Sequence, residues 1–114
     1  MNSFSISEAV RDKLIYAAAK IDNYDKRIPG VNASLTNAGI STTEILESII
    51  SEGKPNKDAT QQALDMINKM SAVSDTKDQL KENLSDVMEM AFRRKQFIDE
   101  YDKIKKNPKA YDDE

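Results

Sequence analysis

The chain has no cysteine, no histidine and no tryptophan in its 114 residues. The first two absences remove most catalytic equipment in one step. No thiol nucleophile exists, a serine triad lacks its base, and zinc or di-iron sites of the usual kinds lack their Cys or His ligands. The 20 Asp and Glu residues leave a two-carboxylate hydrolase as the remaining enzymatic option. The sequence offers no Gly-rich phosphate loop, no calcium-loop pattern and no recognisable acid in an apolar pocket, so neither an enzyme nor a bound metal or cofactor is expected.

Glycine and proline are equally scarce, at three each. That leaves little material for hairpins and makes long helices the default. No apolar run approaches the ~20 residues that span a bilayer, and Met-Asn-Ser-Phe-Ser-Ile-Ser-Glu has no basic segment followed by an apolar one. A cytosolic or intravirion protein is expected, and the lack of cysteine fits a reducing compartment. Hydrophobic residues make up 39% of the chain and charged residues 32%, a composition that folds around one core rather than remaining disordered.

What is present is helical periodicity. Ser5-Ile6-Ser7-Glu8 has capping-box spacing, and Val10, Leu14, Ala17, Ile21, Tyr24 and Ile28 then recur at steps of four and three. The pattern predicts a helix of about 33 Å that Pro29-Gly30 should end. The stretch "VNASLTNAGI" reads as an ordered polar connection anchored by Leu35, and its Asn32-Ala33-Ser34 glycosylation pattern as ordinary loop sequence. Ile40, Ser41, Glu44 and Ile45 match a capping box with a hydrophobic staple, which predicts a short helix from about Thr42, capped by Ser41 and stopped by Gly53 and Pro55. A third helix follows, capped by Asn56 or Asp58, with Ala63, Ile67, Met70 and Val73 along one side. Ser74-Asp75-Thr76 offers a break and a new cap, and a fourth helix runs from about Thr76 to Lys106, closed by Asn107-Pro108.

These elements make an all-α fold, a small bundle of about four helices with long first and last members. Residues 1–108 are expected to form a single helical domain, and residues 109–114 an acidic, frayed tail.

On the fourth helix, Leu80, Leu84, Val87 and Ala91 cluster at about 220° to about 280° around the axis, measured from Phe92. Met90, Phe97, Tyr101 and Ile104 fall at about 120° to about 180°, so the apolar face drifts by more than a heptad repeat explains. The two halves therefore face different neighbours. On this reading the last helix overhangs the first by about 12 Å, leaving the second face without cover. The candidate partner-binding residues are accordingly Met90, Arg94, Phe97, Tyr101 and Ile104, with self-association or a protein partner as the use. The methionines at 66, 70, 88 and 90 read mainly as core filler, Met90 being the exception.

Ala91 to Phe97, "AFRRKQF", is the one basic cluster flanked by aromatics. Its charges spread around the helix: Arg94 falls on the apolar seam and should meet a carboxylate or an interface, while Arg93 and Lys95 diverge to solvated flanks. The competing reading is a DNA-associated accessory protein. It would use a helix-turn-helix-like middle pair, with Lys57, Gln61 and Gln62 opening a recognition helix, or the basic C-terminal helix with Arg93 and Lys95. Glu44, Glu47 and Glu52 stand where the first helix of such a pair should cross phosphates, and Asp99, Glu100 and Asp102 interrupt the basic end, so nucleic acid is disfavoured. The same acids argue against a membrane-surface helix.

Overall fold

A computed structural model describes residues 6–112. It shows four α-helices and a terminal turn: α1 (Glu8–Asn37), α2 (Thr43–Glu52), α3 (Lys57–Lys69), α4 (Ser74–Lys106) and a 3₁₀ turn at Pro108–Tyr111. The all-α bundle with long first and last helices is therefore present, α1 having 30 residues and α4 33. Ser7 caps α1 through its hydroxyl, which accepts from the Val10 amide at 3.1 Å. Ser5, Asp113 and Glu114 lie outside the described residues. The rest of the tail expected to fray carries the 3₁₀ turn, which packs on both α4 and α1.

Pro29 does not end the first helix. It lies inside α1, which continues for two more turns. A helical proline removes one backbone hydrogen bond and crowds the preceding turn, at a cost of about 3 kcal/mol. The segment after it supplies the offset: Leu35 is fully buried, and Val31 packs against the same core. Asn83 of α4 also donates to Ser34 Oγ at 2.9 Å, which in turn donates to the Val31 carbonyl at 2.8 Å. The actual stop is Gly39 at φ 82. There the Gly39 amide bonds the Thr36 carbonyl and the Ile40 amide bonds the Leu35 carbonyl, a Schellman ending with Leu35 and Ile40 in the accompanying apolar contact. The glycosylation-like tripeptide is thus helical, and Asn32 is engaged.

Asn32 Oδ1 accepts from the Thr42 hydroxyl at 2.6 Å. Thr42, not Ser41, is the N-cap of α2, and its side chain makes no capping bond. The start signal misled by one residue because Thr42 is buried while Ser41 is exposed. A buried hydroxyl between two elements is a tertiary link, and removing it leaves Asn32 Oδ1 without that donor. Thr42→Ala is expected to lower stability by about 1 to 2 kcal/mol and Ser41→Ala by under about 0.5, read from urea midpoints at constant slope. The opposite order would return the cap to Ser41.

The remaining boundaries follow the local chemistry. Gly53 at φ 77 closes α2, and Asn56 Oδ1 caps α3 by accepting from the Ala59 amide at 3.0 Å. The break between α3 and α4 falls at residues 70–73. Val73, expected on the apolar side of α3, is instead the N-cap of α4 and 70% exposed.

Every other element packs against α4, and the molecule measures 66 × 22 × 19 Å. Its main core joins Leu35, Ile40, Ile45, Ile49, Ala63, Ile67, Leu80, Leu84, Val87 and Ala91. All lie where the second half of α1, α2, α3 and the first half of α4 meet, a region termed the head. Beyond the end of α2, the first half of α1 and the second half of α4 pair antiparallel as a two-helix arm. Val10, Ala17 and Ile104 are its buried residues. The drift of the apolar face along α4 marks this change, from three helical neighbours to α1 as the one helix alongside.

Candidate functional site

Continuing α1 past Pro29 changes the setting of every residue singled out on α4. The two long helices have 30 and 33 residues, and Ile104 near the end of α4 lies beside Ala9 and Asp12 near the start of α1, so the C-terminal half of α4 does not overhang α1. The second apolar face of α4 is covered by α1. Ile104 is 1% exposed and is core of the arm rather than free surface. Phe97 sits between two tyrosines of α1, edge-on to Tyr16 at 6.0 Å and stacked on Tyr24 at 6.3 Å. Tyr101 is half-buried under the Lys105 ammonium, 5.7 Å from its ring centre. Met90 is half-buried in a cleft bordered by Tyr24, Arg27 and Arg93. The structure brings Phe97 and Ile104 together against α1 and sends Met90 and Arg94 to opposite sides of the arm.

The basic triplet is divided as the helical rotation requires. Arg94 crosses to α1 and donates from Nε to Asp25 Oδ1, with 26% of its side chain exposed. Arg93 stays on its own helix with Glu89 at 3.2 Å, and Lys95 pairs with Asp99 at 3.1 Å. Lys95 is less solvated than a flank residue should be, its side chain being 25% exposed. Each of the three charges has its own carboxylate, so they present no joint basic face. On α3, Lys57, Gln61 and Gln62 are exposed, and Gln61 donates to Asp65 at 2.9 Å.

Asp25–Arg94 joins α1 to α4, linking residues 69 apart, whereas the pairs of Arg11, Lys26, Arg93 and Lys95 are i,i+3 or i,i+4 pairs within one helix. Exposed helical pairs contribute about 0.3 to 0.5 kcal/mol. Arg94→Ala is expected to cost more, with a coupling to Asp25 of about 1 kcal/mol in a double-mutant cycle, while Arg93→Ala and Lys95→Ala stay within about 0.5 kcal/mol. Three equal losses in urea titrations would contradict this division.

The Arg94–Asp25 pair borders a groove of about 630 Å³ where α2 ends over the α1–α4 seam. Ile28, Pro29, Leu46, Ile50 and Ala91 form its apolar floor, and Glu47 and Ser51 stand on the α2 side. Sequence periodicity missed this site because it depends on Pro29 lying within a helix, where its ring becomes part of a wall. The next cleft along α2 is acidic, with Glu44, Glu47 and Glu52 around Ser48 and Ser51. Among the described residues no group of three Asp or Glu is placed to hold a metal ion, and no helix is long and apolar enough to cross a membrane. Comparison with protein-family models, curated proteins and solved structures finds no match to this chain.

Proposed function

We propose that this chain is a non-enzymatic protein-binding module of the cytosol or a virion interior, and that the groove at the head–arm junction holds an amphipathic helix of its partner. The groove itself carries the reading. Its volume lies within the ~300 to 1,000 Å³ of sites that enclose a ligand or anchor side chains. Its floor of Ile, Leu, Pro and Ala side chains, with charge only at the rim, suits apolar residues spaced i, i+3 and i+4.

The rim specifies the flank of that helix. Arg94 is already neutralised by Asp25, whereas α2 carries Glu44, Glu47 and Glu52 and no basic residue. The complementary partner presents an apolar stripe edged with Lys or Arg, steered by the acidic side of α2.

A synthetic Leu/Lys amphipathic helix serves as the probe, with its Leu/Glu counterpart as control. In methyl NMR the Leu/Lys peptide is expected to shift Ile28, Leu46 and Ile50 selectively, and Glu47→Lys, an exposed change, should reverse the preference between the peptides. Unmoved methyls at hundreds of micromolar peptide, or an indifferent Glu47→Lys variant, would dismiss the groove as the binding site.

A further inference from the structure

The outer side of α1 along the arm has a self-complementary order of charge and shape. Taking Ile15 as reference, Glu8, Arg11, Ala18, Ala19, Asp22 and Lys26 all lie within about 60° of it, on the side of the helix turned away from the buried seam. Ile15 is 59% exposed, and Ala18 and Ala19 are exposed beside it. Going outward from this centre, the stripe reads positive then negative in one direction, Arg11 and Glu8, and negative then positive in the other, Asp22 and Lys26. Within the chain these form two exposed local pairs, Arg11–Glu8 at 3.5 Å and Lys26–Asp22 at 2.9 Å.

We infer that this stripe is a two-fold contact between two copies of the chain, α1 against α1 antiparallel. An axis near residue 17 sets Ile15 over Ala18 and Ala19 of the second copy, where two small side chains admit one large one. The same axis sets Arg11 opposite Asp22 and Glu8 opposite Lys26. The local pairs then become two four-charge rings of alternating sign, one at each end of the apolar centre, as an isologous interface requires. Shifting the register by one turn sets like charges opposite one another, so the charge order fixes the alignment.

The contact is small. A strip about 28 Å long and 10 Å wide falls well below the ~800 Å² per partner of a standard interface. The dimer is accordingly weak and salt-sensitive, forming in the range of tens to hundreds of micromolar chain. It is independent of the groove, which opens where α2 meets the α1–α4 seam.

Sedimentation equilibrium at low salt tests the contact directly. The parent is expected to dimerise with concentration, and Ile15→Asp to abolish this without changing helicity by circular dichroism. Arg11→Asp and Asp22→Arg should each weaken self-association about tenfold, yet an equimolar mixture should recover it, because each altered residue then meets its opposite charge. The chain contains no cysteine, so an introduced Ala18→Cys should oxidise to a covalent dimer faster than Ser71→Cys in the α3–α4 turn. A monomer throughout, a dimer indifferent to Ile15→Asp, a mixture no better than its components, or equal cross-linking at both positions would each overturn the proposal.

Discussion

Leu35→Ala is expected to lower the stability of the fold by about 3 to 5 kcal/mol, the upper part of the range for leucine truncation in a packed core. Leu35 is 0% exposed and lies among Ile40, Ile45 and Ile49 in the head. Its removal opens a cavity in the head core. It also takes away the apolar half of the Schellman ending that holds α1 helical after Pro29. The urea midpoint should fall steeply with a nearly unchanged slope, and amides of residues 30–37 should lose hydrogen-exchange protection first. A loss under about 1 kcal/mol would mean that α1 ends at the proline and that Leu35 is loop.

Ile104→Ala probes the other end of the molecule and is expected to cost about 2 to 4 kcal/mol. Ile104 is 1% exposed, and beside it Ala9, Ala17, Tyr16 and Phe97 frame an open cleft of about 590 Å³. The arm has few layers to share a loss, yet its two helices run without interruption into the head. The Tyr16–Phe97–Tyr24 stack and the Asp25–Arg94 pair lie between Ile104 and the head core. A single cooperative transition with a lowered midpoint is therefore the expected result. An unchanged midpoint together with faster exchange at residues 10–21 would show that the arm opens by itself.

The sequence makes the helices legible wherever a local signal coincides with a buried stripe. Gly53, Asn56 and Asn107 punctuate the chain where expected, because a left-handed turn, a cap and a proline-blocked end are decided by a few neighbouring atoms. Pro29 defeats the same logic. Its local cost is overridden by Leu35 and by the Asn83–Ser34 bond, partners that only the tertiary fold supplies. From that single misreading follow the missing last turns of α1, the spurious overhang of α4 and the loss of the cover over Phe97 and Ile104. Arg94 was legible as a seam residue in need of a carboxylate, since rotation about one helix is local geometry. That the carboxylate is Asp25 was not, because helix pairing register is set by the whole interface. The groove was illegible for a related reason: Ile28, Leu46 and Ala91 belong to three helices, and no spacing within one helix announces a surface built from three.

The position of α4 as the common neighbour of every other element also orders events during synthesis. Ribosomes add about 5 to 20 residues per second, so the 33 residues of α4 take about 2 to 7 s to appear. Until then the apolar stripe of α1, from Val10 to Leu35, has no helix to cover it, and α2 and α3 can only cluster loosely. The head can assemble once residues 74–92 emerge, with α1 already waiting. The arm closes last, drawing the end of α4 back along the first half of α1. A nascent chain that has emerged from the ribosome only as far as residue 92 is therefore expected to present a folded head and a bare α1 seam, the species most exposed to chaperones and to sticking to its neighbours on the same message.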